Sequence, residues 1–406
     1  MSDPIALERR YAANNYDPLP VVLSRGEGVW LYDTEGNRYL DLLSAYSAAS
    51  FGHANPRLVR ALAAQAGRLA IASRAFHSDR LGPFLARLCE LTGMERALPM
   101  NTGAEAVETA IKCARKWAYH VRKVAANRAE IVVCEGNFHG RTTTLVGFSS
   151  EPQYRDAFGP YAAGFVHVPY GDLRALEAAI GPNTAAFLVE PIQGEAGIVV
   201  PPEGYLAAAA RLCRDRQVLF IADEIQTGLG RTGRMLACQH EGIRPDGLCL
   251  GKALGGGLVP VSAFLASDSV MSVFGPGDHG STFGGNALGA AVGMEALSVL
   301  VEEGLVERAR EMGDYLLARL RSVASPVVAE VRGRGLLVGL DIDPSRANAR
   351  QVVESLRRRG VLSKDTHGTV VRLAPPLIIG REEIDFGVAR LRMALAEYGP
   401  VGERAA

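Results

Sequence analysis

The chain has 406 residues, 48% of them hydrophobic and 22% charged, an ordinary globular composition long enough for two domains around sizeable cores. Lysine plus arginine equals aspartate plus glutamate at 44 each, so the charge balance gives no reason to expect nucleic acid or an anionic membrane, and a small-molecule partner is the better expectation. No run approaches the roughly eighteen apolar residues of a membrane span, and MSDPIALERRYAANNYDPLP lacks the basic start and apolar stretch of a secretory signal, so a soluble cytoplasmic protein is expected.

Residues 1–45 hold turn formers and two strand-like runs, GVWLYDTEG and NRYLDLL, with Gly36 and Asn37 as the turn between them; this reads as an arm or small-domain segment. Over 46–290, short apolar runs (EIVVCEG, AAFLVEP, QVLFIADE, DGLCLGK) alternate with helical segments such as EGYLAAAARLCRDRQ. That alternation predicts βαβ units and an α/β large domain with a mostly parallel sheet covered on both faces. Over 291–406 the pattern becomes one long helix from GAAVGMEA to LLARLRSV, then strand-like VVAEVRGRGLLVGLDI, helix NARQVVESLRRRG, strand TVVRLAPPLII and a last helix ending near Tyr398. This is a smaller α+β domain, and the tail GPVGERAA is expected to be disordered. The six cysteines form no CxxC pair and have no histidine at ligand spacing, so they are expected to be reduced core thiols with no metal.

Three apolar runs end alike: AAFLV in Glu190, VLFIA in Asp223 and GLCLG in Lys252. One such charge marks only where a strand meets solvent. Three of opposite sign at the carboxyl ends of one parallel sheet, where loops diverge, predict a site. In MNTGAEAVETAIKCARKWA, Thr102 and Glu105 fit a capping box, and Val107, Ala110, Ile111, Ala114, Trp117 and Ala118 form one apolar helical face. The amides of Thr102, Gly103 and Ala104 then open a helix that could receive a phosphate, although a well-capped helix alone gives the same pattern. GLGRTG (228–233) spells GxGxxG but is separated from its strand by DEIQT, and GLCLGKA lacks both the P-loop spacing and its magnesium-binding hydroxyl.

A lysine at a strand end, an aspartate and a helix N-terminus for phosphate are together the requirements of pyridoxal 5'-phosphate: the lysine forms a Schiff base, and the carboxylate keeps the pyridine nitrogen protonated. NNYDPLP, DLLSAYSA, SRAFH, LPMNTGAEAVETA, NFHGRT, VEPIQGEAGIVVP, LFIADEIQTGLGRTGR, LGKALGGGLVPVSA, HGSTFGGNALG, VRGRGLLVG and VVRLAPPL extend the pattern over almost the whole chain. On these motifs the sequence resembles the class III, fold type I aminotransferases and, among them, is most similar to the ornithine δ-aminotransferases.

The resemblance implies a transaminase of arginine and proline metabolism, acting on ornithine, 2-oxoglutarate and glutamate. It implies Lys252 as the Schiff-base lysine, Asp223 as partner of the pyridine nitrogen, Gln226 one helical turn further as donor to the phenolic oxygen, and Phe138 stacked on the ring. Thr102, Gly103 and Ala104 would hold the phosphate, joined by Ser281 and Thr282 of a neighbouring subunit, so a homodimer is implied. For the substrate, the resemblance implies Arg141 at the distal carboxylate, Tyr16 and Tyr46 at the α-amino end, and Glu195 with Arg372 as a switch pair; Glu190 has a supporting role. One departure stands beside the ring: His139 replaces the tryptophan of the animal members, as in acetylornithine aminotransferases. It reads either as a packed imidazole or as a proton donor, and it keeps acetylornithine and other ω-amino acids open as substrates.

Overall fold

The computed structural model describes residues 3–403. Its centre is a seven-stranded sheet in the spatial order Arg96–Met100, Ser262–Ala266, Gly247–Leu250, Leu219–Asp223, Thr184–Val189, Glu130–Cys134 and Phe165–Val168. Ser262–Ala266 is antiparallel to both of its neighbours, and the remaining pairings are parallel. The apolar runs form this sheet because helices cover both faces. Every residue of Thr184–Val189, Leu219–Asp223 and Gly247–Leu250 is buried, and each large aliphatic side chain removed from water contributes roughly 1.5–3 kcal/mol.

One covering helix, Gly103–His120, starts at the expected capping box: Thr102 Oγ1 accepts from the Glu105 amide at 3.3 Å, and Glu105 Oε2 accepts from the Thr102 amide at 2.8 Å. Val107, Ala110, Ile111, Ala114 and Ala118 lie on its buried face.

The N-terminal hairpin of Trp30–Asp33 and Arg38–Asp41 is accompanied by a third strand, Leu23–Glu27, which the sequence pattern did not reveal. Leu40 and Asp41 then pair in parallel with Val361 and Leu362, joining the two ends of the chain in one four-stranded sheet. A second four-stranded sheet carries the hairpin Val328–Arg334 and Leu337–Ile342 with Val370–Leu373 and Lys364–Thr366.

Three sequence expectations are corrected. The long C-terminal helix is two, Ala287–Glu302 and Leu305–Arg321, because Gly304 takes φ +62° and turns the chain. Gln226 is not one helical turn beyond Asp223, since the residues after that strand form a run of tight turns instead of a helix. In the tail, Gly402 and Glu403 pair with Ala324 and Val323; residues 404–406 lie outside the described residues.

Candidate active site

The carboxyl ends of the parallel strands open onto one cleft of about 640 Å³ including its mouth. Gly103, Ala104, Phe138, His139, Gly140, Glu190, Glu195, Asp223, Gln226 and Lys252 all line it, so the three strand-end charges do converge. Thr102 caps the helix at one edge.

Lys252 follows the strand Gly247–Leu250 with φ +43°, a left-handed conformation that costs a non-glycine residue about 1 kcal/mol or more. Burial in the cleft lowers its ammonium to about 8; the Glu195 charge opposes that shift and Arg372 adds to it. An amine in this state is about one-tenth neutral at pH 7, roughly 200 times more than an ordinary lysine of pKa near 10.4. The rate at which an amine-directed reagent modifies Lys252 in cofactor-free protein, taken as the difference from Lys252→Ala, should therefore rise about tenfold per pH unit up to 8 and level off above it.

Asp223 is buried and held at both oxygens: Oδ1 accepts from the Ile225 amide at 3.1 Å, and Oδ2 lies 2.6 Å from His139 Nδ1. Burial alone would lower the His139 imidazole, but the hydrogen bond to Asp223 and the charges of Asp223 and Glu190 outweigh it, and its pKa stands above the usual value. A proton on Nδ1 satisfies Asp223 and leaves Nε2 buried without a partner among the described residues. Glu190 accepts from the amides of Phe138 at 2.9 Å and Gly194 at 3.3 Å, tying two loops of the cleft together. Burial raises its carboxyl to about 7, with His139 opposing and Asp223 reinforcing that shift.

Beside this cleft lies a wider one lined by Tyr16, Tyr46, Arg141, Tyr154, Glu195 and Arg372. Arg372 Nη1 meets Glu195 Oε1 at 2.7 Å, and its Nη2 donates to Gln226 Oε1 at 3.2 Å. Burial would raise the Glu195 carboxyl, but the charge of Arg372, then that of Lys252, and the hydrogen bond from Arg372 hold it below the ordinary range. Tyr46 stands with its ring 5.1 Å from Arg372 Cζ. Arg141 is exposed, lies 4.0 Å over the Tyr154 ring and 5.5 Å from that of Phe138, and has no ion pair among the described residues. Tyr16 is 76% exposed at the outer rim.

Ser281 and Thr282 are not brought to this cleft. Ser281 Oγ instead accepts from Asn101 Nδ2 of its own chain at 2.8 Å, just before the helix cap, and Thr282 lies on the surface. Sequence reasoning missed Tyr154, whose ring meets Phe138 edge-on and lies under Arg141, and Ile225, whose side chain lies 3.0 Å from where a Cβ on Gly103 would stand. Neither has a pattern of its own. Ile225 could only have been noticed as an apolar residue inside the polar run DEIQT.

Several features fit pyridoxal phosphate. The helix-opening amides of Gly103 and Ala104 could take the phosphate. Gln226 Nε2 is a buried donor without a partner among the described residues, suited to the phenolic oxygen. Asp223 supplies the carboxylate, Lys252 the amine, and Phe138 with Ile225 the apolar walls.

Comparison with known proteins gives the same chemistry. The family model "Aminotransferase class-III" matches residues 11–395. The ornithine aminotransferase of Brevibacillus brevis is 54% identical over 386 residues, 95% of this chain and 96% of that protein; that of Bacillus subtilis is 55% identical over 385 residues, 95% of each. Among solved structures, the ornithine aminotransferase from Toxoplasma gondii, reported with partial occupancy of PLP at its active site, superposes with a TM-score of 0.96 at 46% identity, covering 97% of this chain and 93% of that one. The acetylornithine aminotransferase from Elizabethkingia anophelis superposes at 0.87 with 45% identity, covering 97% and 98%. A desolvated lysine at a strand end opposite a buried aspartate is thus found in a chain matched along nearly all its length: the protein belongs to the class-III aminotransferases, which are pyridoxal phosphate-dependent transaminases.

Proposed function

We propose that this protein is an ornithine δ-aminotransferase, moving the δ-amine of L-ornithine to 2-oxoglutarate in a ping-pong cycle to give glutamate 5-semialdehyde, which cyclises to pyrroline-5-carboxylate, and glutamate. The observation that carries this reading is the ion pair of buried Arg372 with partly buried Glu195 beside Tyr46, with Arg141 in the same cleft making no ion pair among the described residues. Arg141 binds the distal carboxylate as a planar fork. With Glu195 neutralising Arg372, the inner end of the cleft accepts an uncharged methylene and amine; when Glu195 turns away, Arg372 receives the α-carboxylate of glutamate. Tyr16 and Tyr46 meet the α-amino end of ornithine.

When bound, pyridoxal phosphate supplies the electron sink that carries the amine from one substrate to the other. Thr102, Gly103 and Ala104 would hold its phosphate, Phe138 would flank its ring and Gln226 would donate to its phenolic oxygen. Asp223 would keep the ring nitrogen protonated, with His139 bracing Asp223 through their 2.6 Å contact. Lys252, with its pKa near 8, takes a proton from the substrate's δ-carbon at Nζ and returns it on the other side of the transfer. Residues 46–290 form the rigid cofactor domain; 291–406, with the 1–45 segment, form the smaller body that carries Arg372.

A homodimer completes the site, with Ser281 and Thr282 serving the partner subunit's phosphate. The exposed apolar side chains of Phe76 and Phe283 support such an interface. No helix among the described residues is long and apolar enough to cross a membrane, and a cytoplasmic location is part of this reading.

His139 and the Elizabethkingia match favour a second reading, acetylornithine transamination by the same machinery. Acetylation would remove the charge that Tyr16 and Tyr46 meet. Parallel assays with ornithine, N-acetylornithine and 4-aminobutyrate should give the highest kcat/KM for ornithine, by roughly tenfold or more if one buried polar contact discriminates. A higher kcat/KM for acetylornithine would replace the first reading with the second.

A further inference from the structure

Tyr46 sits in an unusual piece of backbone. Ser44, Ala45, Tyr46 and Ser47 have φ of +45°, +48°, +58° and +77°, a left-handed turn built without glycine. Such a conformation persists only where its surroundings impose it. Asp41 Oδ1 accepts from the amides of Leu43 and Ser44, each at 2.8 Å, which fixes the entrance to the turn.

The rest of the hold comes from Arg231, the arginine of the GLGRTG run that no nucleotide reading absorbs. It is 1% exposed and has no ion pair among the described residues. Its Nη2 donates to Ser50 Oγ at 2.8 Å and Ser44 Oγ at 3.3 Å, while Nη1 donates to the carbonyls of Leu336 at 3.1 Å and Pro375. Ser50 Oγ in turn donates to Ser47 O at 2.8 Å, and Ser44 Oγ to Ala374 O at 2.7 Å. One guanidinium thus grips both ends of the left-handed turn and the backbone three residues beyond Arg372. A buried cation bonded only to neutral groups is costly to keep, and its planar fork is what reaches four acceptors at once.

We propose that Arg231 is a positioning residue for the substrate site, holding the left-handed turn so that Tyr46 stands against Arg372. It lines neither cleft and acts only through these two residues. The inference rests on the reading of Tyr46 and Arg372 as substrate contacts and adds a determinant of their spacing.

The test uses holoenzyme carrying Arg231→Lys, alone and with Ala45→Gly, because glycine adopts the left-handed region without strain. Ornithine kinetics are measured together with calorimetric binding of glutarate, an unreactive dicarboxylate. Arg231→Lys should raise the KM for ornithine and weaken glutarate by about tenfold each, with kcat changed less than about threefold and cofactor absorbance retained. Ala45→Gly should recover a large part of both losses. If kcat, melting temperature and cofactor content fall together, with no selective loss of binding and no recovery by Ala45→Gly, Arg231 only fills the core and the proposal is overturned. If Arg231→Lys does not fold, Ser50→Ala decides: a KM rise of a few fold reversed by Ala45→Gly supports the proposal, and an unchanged KM overturns it. A wild-type enzyme inactive on ornithine would remove the proposed function, while the glutarate comparison would still judge Arg231.

Discussion

Lys252→Ala is expected to reduce transamination by roughly 10⁴-fold or more, the upper range for losing a positioned proton-transfer group, with loss of the covalent tether added to it. No other residue lining the inner cleft carries an amine; the remaining polar groups there are three carboxylates, His139, Gln226 and Thr227. None of them can both bond to an aldehyde and exchange a proton at carbon. The purified variant should lose the absorbance of a lysine-bound cofactor and release pyridoxal phosphate on dialysis. Folding should not suffer, because alanine removes a desolvated cation from a left-handed position that it tolerates as well as lysine does. Added small primary amines should restore part of the proton transfer, since the cavity left behind is open to the cleft. A variant that keeps more than about one-hundredth of wild-type turnover would remove Lys252 from its role.

The parts of this architecture that were legible in the sequence are those written in continuous runs. AAFLV, VLFIA and GLCLG are apolar without alternation, as only strands covered on both faces can be, so their polar last residues had to mark the sheet's open end. The capping box at Thr102 was readable because both halves lie within four residues. What stayed hidden depends on partners distant in sequence. SAYS at 44–47 has no glycine to announce a left-handed turn; its conformation is imposed by Arg231, Ala374 and Asp41. GLGRTG had the letters of a dinucleotide loop, yet its arginine is buried against four acceptors from the two ends of the chain. Leu23–Glu27 is largely exposed and shows no apolar alternation, so nothing in LSRGE distinguishes a strand from a loop.

Asp223→Asn isolates the charge from the shape of the acid. Asparagine keeps the side chain's volume and can still accept from the Ile225 amide, so the strand end and the cleft wall should stand. What it cannot do is hold a proton on a pyridine nitrogen, because a neutral amide gives no electrostatic reason for that nitrogen to stay charged. Lys252 remains, so the cofactor should still bind and colour the protein. Transamination should nevertheless fall by about 10³-fold, or about 4 kcal/mol of transition-state stabilisation. The effect should reach His139 as well. Burial lowers the imidazole's pKa and Asp223 supplies most of what opposes it, so in the variant His139 should titrate at lower pH than in the parent. Nuclear magnetic resonance of the labelled imidazole reads that shift without turnover. The two measurements separate two causes: a fall in activity with His139 unmoved would mean that the pair is not coupled as its 2.6 Å contact indicates, whereas a displaced His139 with activity within tenfold of the parent would show that the Asp223 charge tunes its neighbour and not the reaction.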